Sequence, residues 1–219
     1  MIKQNKKRIL TPYEKNQLLK YGIEPKKLIY TDAPVEYITN HVDFYDSVFL
    51  VDENVLIPRI ETEELVERVI QEAKLLWELN LGGSKSNKNK AIQIVDVGTG
   101  SGAIAISVAK KLKTLEITHQ VVGLDISEDA LHLARTNLER IEKSFGQKLA
   151  VKFAQSDLLK NLKPREQTEG YQKNKVDLII ANLPYIPSSR IKNLDPSVKD
   201  FEPHLALDGG PDGLNLVRK

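Results

Sequence analysis

Hydrophobic and polar residues alternate along the second half of the chain in blocks typical of strands and helices. Short apolar runs at residues 92–97, 121–125, 151–154 and 176–180 predict four strands. Between the first three runs, apolar residues recur at helical spacing, which predicts one helix after each of the first two strands. This alternation predicts an α/β fold with a Rossmann-like, doubly wound and mostly parallel sheet.

The first part of the chain has a different pattern. Residues 1–34 predict a short, basic helical segment. Residues 35–81 predict a β-hairpin with its turn at residues 52–54, followed by a connecting helix. A composition of glycine, serine, lysine and asparagine predicts a flexible linker at residues 82–90, which leaves residues 91–219 as the main domain.

Composition and charge narrow the class of protein. A hydrophobic fraction of 41%, a charged fraction of 28% and a net charge of +2 are ordinary for a soluble globular chain and require no nucleic-acid partner. The basic residues near the amino terminus favour a solvated terminus over contact with RNA. The chain has no cysteine, which excludes thiolate zinc sites and suits a reducing cytoplasm. We expect no membrane span, because no apolar run is long enough, and no metal site, because the histidines lack ligand spacing.

A glycine-rich loop follows the first predicted strand. Gly98, Gly100 and Gly102 let the backbone turn tightly and a ligand approach closely, and the following helix offers unpaired N–H groups. Asp125 ends the second strand, where an acid meets ribose hydroxyls. A nicotinamide cofactor and S-adenosylmethionine both fit this pattern. Asp96 favours S-adenosylmethionine, because an acid near the loop attracts the cationic amino-acid end of that molecule and repels a pyrophosphate.

A second acid follows the third predicted strand. Asp157 is placed there to accept a hydrogen bond from an adenine amino group. For Asp125 and Asp157 the alternative is the cap of a helix or turn, and for both we favour the ligand role. The loop lacks the Gly-Lys-Ser/Thr of a P-loop, which argues against nucleotide hydrolysis.

The fourth predicted strand runs into Asn-Leu-Pro-Tyr at residues 182–185. Pro184 cannot continue a strand ladder, so the chain must leave the sheet at about Asn182. An amide side chain, a free backbone carbonyl and an aromatic ring are therefore expected together at the carboxyl end of a strand. In open α/β sheets this is where ligands bind. Taken alone, the stretch fits a proline-terminated turn equally well.

Together, Asp-Val-Gly-Thr-Gly-Ser-Gly at residues 96–102 and the tetrapeptide resemble class I S-adenosylmethionine-dependent methyltransferases that modify a planar exocyclic or amide nitrogen. Stretches at residues 34–39, 56–63 and 201–214 are similar to the PrmC/HemK family, the N5-glutamine methyltransferases of peptide chain release factors. These stretches lie outside the shared cofactor core and follow the order of the family, so they narrow the resemblance.

The resemblance implies methyl transfer from S-adenosylmethionine to the glutamine amide nitrogen (N5) in the Gly-Gly-Gln motif of class 1 release factors. Asn182 Oδ1 and the Leu183 carbonyl would accept the two amide hydrogens, and Tyr185 would pack on the flat amide. We predict Asn182 and Tyr185 as catalytic residues. The predicted substrate-binding residues are Asn182, Leu183, Pro184 and Tyr185. The predicted cofactor-binding residues are Asp96, Gly98, Thr99, Gly100, Ser101, Gly102, Asp125, Asp157, Leu158 and Asn182.

Two departures from the family pattern leave alternatives open. Leu183 stands where the family usually has proline, and Asn-Leu-Pro-Tyr also occurs in adenine-N6 methyltransferases of ribosomal RNA. The family places a helical domain before the hairpin, and a sheet of this class needs about three further strands after the fourth. We therefore expect a chain truncated at both ends, with the C-terminal strands of the sheet missing. The alternatives are an rRNA adenine-N6 methyltransferase and an inactive cofactor-binding fragment.

Overall fold

The computed structural model describes residues 8–28, 31–82, 91–161 and 176–219. The chain divides into two compact units. The first unit comprises Met1–Val42, Leu50–Ile57 and Pro184–Lys219, and the second comprises Asp43–Phe49 and Pro58–Leu183.

Helices and strands alternate irregularly in the first half of the chain and more regularly in the second. The first half contains α1 (Pro12–Lys20), a 3-10 turn (Pro25–Leu28), α2 (Val35–Thr39), β1 (His41–Phe44), β2 (Ser47–Leu50), α3 (Thr62–Gly82) and β3 (Ile92–Val97). The second half contains α4 (Ala103–Thr114), β4 (His119–Asp125), α5 (Glu128–Phe145), β5 (Val151–Gln155), β6 (Leu178–Ala181), α6 (Ser188–Ile191), α7 (Pro196–Lys199) and a 3-10 turn (His204–Ala206).

A parallel sheet is the centre of the second unit. Its four strands lie in the order β5-β4-β3-β6, and every pairing is parallel. The predicted α/β fold with a parallel sheet is therefore confirmed. All four carboxyl ends meet at one edge of this sheet. The strand β3 lies inside it and buries five of its six residues, including the charged Asp96.

Helices α4 and α5 connect the strands as the apolar spacing predicts. Helix α4 buries eight of its twelve residues and contacts both α3 and β4, so it forms the main apolar cover of the sheet. Helix α5 begins after Ser127, whose side chain accepts a hydrogen bond from the Ala130 N–H, and it ends at Gly146 in the left-handed conformation. These local signals fix where the chain re-enters the sheet.

The β-hairpin is present, but its predicted turn at residues 52–54 is wrong. Strands β1 and β2 are joined at Tyr45 and Asp46, whereas residues 52–54 form a turn that lies outside the hairpin. The difference has a tertiary cause. The Tyr45 N–H donates to Glu63 Oε1 at 2.8 Å, and Lys110 Nζ donates to the Asp46 carbonyl at 2.9 Å. Contacts with α3 and α4 therefore select a turn that local residue preferences do not reveal, with Tyr45 at a φ of 54°.

The first unit has a small apolar core of its own. Leu10, Leu18 and Val35 are buried together, with Ile23 and Ile38 packed against them. Helix α1 starts at a capping box in which the Glu14 N–H donates to the Thr11 side chain and Glu14 accepts from the Thr11 N–H.

The predicted domain boundaries stay predictions. The proposed linker lies outside the described residues except for Gly82, the last residue of α3. Among the helices of the described part of the chain, none is long and apolar enough to cross a membrane.

The cap of α5 can be tested by substitution. We expect Ser127→Ala to lower the free energy of unfolding by about 1 kcal/mol, because the Ala130 N–H would lose its acceptor. Urea denaturation measures this change. Thr136→Ala removes a hydroxyl that donates to the His132 carbonyl of the same helix, and should cost less than about 0.5 kcal/mol. Equal losses in the two variants would contradict the role of the cap.

Candidate functional site

The glycine loop and the start of the tetrapeptide lie side by side in the second unit. Strands β3 and β6 pair in parallel with Val97 opposite Ala181, so Gly98 and Asn182 leave the sheet at the same edge. The Leu183 side chain lies next to the exposed Gly98, where an added Cβ would be 3.3 Å from Leu183 Cδ2. The structure therefore brings these two motifs together, although 79 residues lie between Gly102 and Asn182 in the sequence.

The loop is held by backbone hydrogen bonds, and it leaves open space beside one of its glycines. The N–H groups of Gly98 and Thr99 both donate to the Leu124 carbonyl, at 2.8 and 2.9 Å. Gly100 has a φ of 53°, and a Cβ there would meet no described atom within 4 Å. At Gly102 a Cβ would lie 3.1 Å from Ala134 Cβ, so this glycine permits close packing of α4 on α5. Gly100 is thus the position at which a ligand can approach the main chain.

Asp125 ties the loop to the end of β4. Its Oδ2 accepts from the Gly100 N–H at 2.8 Å, and its Oδ1 accepts from the Ser127 N–H at 3.0 Å. The cap role considered for this residue is therefore real. Each carboxylate oxygen can accept a second hydrogen bond, so the predicted bond to a ribose hydroxyl remains chemically open and stays a prediction.

Asp96 is an acid buried beneath the loop. Its side chain is 0% exposed, and the Thr99 hydroxyl donates to Oδ2 at 2.6 Å. The other oxygen, Oδ1, has no hydrogen-bond partner among the described residues. Burial raises the pKa of Asp96 to about 6 and the charge of Asp125 adds to this rise, while Thr99 and the Ala105 N–H oppose it. A cation near the loop would stabilise the ionised form, which is the chemistry expected for the amino-acid end of S-adenosylmethionine.

The residues after β5 divide into an apolar and a charged part. Leu158 packs, as Leu183 does, against the buried cluster of Val95, Val97 and Leu124. Asp157 forms an ion pair with Lys160, three residues along the chain. The ion pair does not decide between the turn-cap role and the ligand role, and the predicted bond of Asp157 to adenine stays a prediction.

The second half of the tetrapeptide belongs to the first unit, which resumes at Pro184. The Tyr185 side chain is 68% exposed, so its ring is available to a partner. Asn182 is half-buried, and its side chain makes no hydrogen bond within the described ranges.

Two residues that support the loop were not predicted. Gly123 in β4 lies under the loop, and a Cβ there would be 2.8 Å from Thr99 Oγ1. Asn137 of α5 is 1% exposed, and its Nδ2 donates to the Ser101 carbonyl at 3.0 Å. Both leave a signal in the sequence, since a glycine interrupts a strand and a polar residue interrupts an apolar helix face.

A different cleft lies at the amino end of β4. It has a volume of about 800 Å³ and its lining includes Lys113, Thr118, His119 and Lys148. Burial lowers the pKa of His119, whose Nδ1 lies 2.7 Å from the Ile117 carbonyl oxygen. None of the predicted site residues lines this cleft. We therefore assign the candidate site to the carboxyl edge of the sheet.

The family described as methyltransferase domain matches residues 88–204. This chain belongs to that family. The release factor glutamine methyltransferase of Koribacter versatilis is 37% identical over 188 residues, which are 85% of this chain and 55% of the relative. That of Leptospira interrogans is 38% identical over 203 residues, or 93% of this chain and 60% of the relative. The chain thus spans between half and two thirds of the length of these relatives.

Structural similarity adds little to this family assignment. A solved human methyltransferase 10 domain containing protein matches 63% of this chain and 54% of its own, with 20% identity and a TM-score of 0.41. The fold of the methyltransferase domain is defined by its own strand order, β5-β4-β3-β6.

The buried acid of this methyltransferase domain gives a prediction for stability. The pKa of Asp96 is about 6 in the folded protein and about 4 in an unfolded chain. Because the folded state holds the proton more tightly, we expect the contribution of Asp96 to stability to fall as pH rises, by about 1 kcal/mol between pH 5 and pH 7. Asp96→Asn keeps an acceptor for Thr99 without the charge, so this loss should disappear.

Urea denaturation of wild type and Asp96→Asn at both pH values measures the difference. Glu53→Gln, which neutralises an exposed carboxylate, should follow the wild-type pH dependence. If Asp96→Asn also followed the wild type, the raised pKa would be refuted.

Proposed function

We propose that this protein transfers a methyl group from S-adenosylmethionine to the side-chain amide nitrogen (N5) of a glutamine. The proposed substrate is the Gly-Gly-Gln motif of class 1 peptide chain release factors in the cytoplasm. One observation carries the proposal: Asn182 leaves the sheet beside the glycine loop that ends β3. Similarity to two relatives named release factor glutamine methyltransferase supports the choice of substrate.

The residues around the loop fit S-adenosylmethionine. The open space beside Gly100 allows close approach, and the ionised form of Asp96 would be stabilised beside the cationic amino-acid end. Asp125 has lone pairs left for the ribose hydroxyls, and we assign Asp157 and Leu158 to the adenine. When bound, the cofactor supplies a methyl group activated by its attachment to a positively charged sulfur.

Asn182 and Leu183 are proposed to hold the substrate amide. An amide nitrogen is a poor nucleophile because its lone pair is delocalised, so the protein must supply position rather than a strong base. Asn182 Oδ1 and the Leu183 carbonyl would accept the two amide hydrogens and direct the lone pair at the methyl group. The packing of Leu183 against the buried residues of β3 and β4 limits movement of Asn182 and Leu183. The amide proton leaves after transfer, when the nitrogen has become acidic.

Pro184 and Tyr185 complete the proposed substrate-binding stretch. The proline ends the strand, and the exposed Tyr185 ring is suited to pack on a planar amide. The same four residues suit the exocyclic amine of adenine, so ribosomal RNA is the competing substrate that an experiment must include.

Transfer of a tritiated methyl group tests the substrate directly. Wild-type protein would be incubated in parallel with a class 1 release factor, the same factor carrying Gly-Gly-Ala, and ribosomal RNA. We expect label only in the factor with Gly-Gly-Gln. Label in the RNA alone would favour adenine methylation, and no label in any substrate would reject the proposed activity.

The proposed effect of Asn182 on catalysis can be measured separately from cofactor binding. We expect Asn182→Ala to lower kcat by at least about 100-fold, because the amide nitrogen would lose one of its two acceptors. The dissociation constant of S-adenosylmethionine, measured by calorimetry, should change by less than about threefold. Asn193→Ala, at an exposed asparagine, is the matched control and should behave like wild type. Methyl transfer by Asn182→Ala at the wild-type rate would refute the assigned role.

Substitution of Asp125 is expected to change the affinity for the cofactor. We expect Asp125→Ala to weaken S-adenosylmethionine binding at least about tenfold, because the loop loses the acceptor of the Gly100 N–H and the ribose loses its own. Calorimetry measures the affinity. Asp129→Ala removes an exposed acid from the first turn of α5 and serves as the control. Unchanged affinity in Asp125→Ala would exclude Asp125 from the cofactor site.

A further inference from the structure

A loop at residues 207–213 of the first unit wraps the chain that follows the tetrapeptide. The Ile186 N–H donates to the Leu207 carbonyl at 3.1 Å, and the Gly209 N–H donates back to the Ile186 carbonyl at 2.9 Å. The Ser188 N–H donates to the Gly210 carbonyl at 2.9 Å. Ile186 and Asp208 form an isolated parallel bridge. The backbone from Ile186 to Ser188 is thus held by main-chain hydrogen bonds.

Two glycines bring this loop against the tetrapeptide itself. A Cβ at Gly209 would lie 2.8 Å from the Pro184 carbonyl oxygen, and a Cβ at Gly213 would lie 2.3 Å from the Tyr185 carbonyl oxygen. Real Cβ atoms do not approach oxygen this closely, so any larger residue would displace one of the two chain segments. Gly213 also has a φ of 82°, which favours glycine independently.

Asp208 closes the same loop with its side chain. Its Oδ1 accepts from the Ser188 hydroxyl at 2.6 Å and from the Gly210 N–H at 2.8 Å. These two bonds hold the pKa of Asp208 below its usual range. The Asp208 carboxylate therefore joins the loop to Ser188, although it lies at the surface.

The loop matters because Tyr185 has little packing of its own. Tyr185 is 68% exposed, so packing against neighbouring residues does not fix the position of its ring. The position of the ring depends on the backbone from Pro184 to Ser188, which has no regular ladder beyond the single bridge. Misplacement of a substrate-holding group by about 1 Å can cost about 100-fold in rate.

We propose that the loop at residues 207–213, which we call the brace, is a positioning element. It fixes the backbone of residues 184–188 for substrate binding. Gly209, Gly213 and Asp208 are positioning residues and do not touch the reacting atoms. The brace itself is a matter of geometry within the first unit, whereas its effect on methyl transfer rests on the proposed function.

Amide hydrogen exchange tests the brace without any substrate. In Gly213→Ala we expect the amides of Ile186, Ser188 and Gly209 to exchange at least about tenfold faster than in wild type. Gly22→Ala is the matched control, because Gly22 also has a positive φ, 72°, but a Cβ there meets no described atom within 4 Å. It should leave the three amides protected. Unchanged protection in Gly213→Ala would overturn the proposal.

A second pair of variants keeps the test decisive if Gly213→Ala fails to fold. Asp208→Ala removes the acceptor of the Ser188 hydroxyl and of the Gly210 N–H, whereas Asp208→Asn retains an oxygen at the same position. We expect the Gly210 amide, and with it the amides of Ile186, Ser188 and Gly209, to exchange faster in the alanine variant, and the asparagine variant to restore most of the protection. Wild-type protection in Asp208→Ala would overturn the role of Asp208.

Kinetics then connect the brace to the reaction. We expect Gly213→Ala and Asp208→Ala to lower kcat for the release factor at least about tenfold, with rescue by Asp208→Asn. The affinity for S-adenosylmethionine should change less than about twofold, because the proposed cofactor residues lie in the second unit. Wild-type kcat in variants with lost protection would overturn the positioning role. If wild-type protein methylates no release factor, the proposed function fails, and the exchange rates alone decide the brace.

Discussion

Parallel pairing of β3 with its two neighbours is the constraint on which the candidate site depends. Because β4 and β6 both run parallel to β3, three carboxyl ends meet at one edge. One site feature lies at each of these ends: the glycine loop after β3, Asp125 as the last residue of β4, and Asn182 after β6. The backbone hydrogen bonds of the sheet therefore set the distances between them. A change of register between β3 and β6 would move Asn182 away from Gly98, whatever its chemistry.

This arrangement buries polar groups beneath the loop, which costs free energy of folding. Asp96 is fully buried with one oxygen unpaired among the described residues, and Thr99 is packed over Gly123. A buried carboxylate with an incomplete shell of donors is costly, and burial accordingly raises its pKa. Such a group is readily explained where a ligand brings positive charge. The burial of Asp96 and the open space beside Gly100 are compatible with the proposed binding of S-adenosylmethionine at this loop.

The structural role of Asp125 is compatible with its proposed binding role. Asp125 accepts two backbone N–H groups and still has lone pairs for a ligand, so the cap and ligand roles are compatible. In the first unit, the glycines of residues 209–213 permit contact with the carbonyls of Pro184 and Tyr185. Glycine serves different ends in the two loops, because one leaves backbone open to a ligand and the other brings two pieces of backbone together.

The sequence by itself determined the strands and helices of the α/β fold, the glycine loop and the end of β6 at Asn182. These follow from apolar periodicity, from the backbone freedom of glycine and from the missing N–H of proline, which are local properties. Only the tertiary structure decided the strand order, the hairpin turn at Tyr45 and Asp46, and the supports of the loop at Gly123 and Asn137. Each of these depends on residues distant in the sequence: Glu63 and Lys110 hold the hairpin turn, and Asn137 reaches Ser101 across two elements. Local preference cannot encode such contacts, because their energy appears only when the chain has packed.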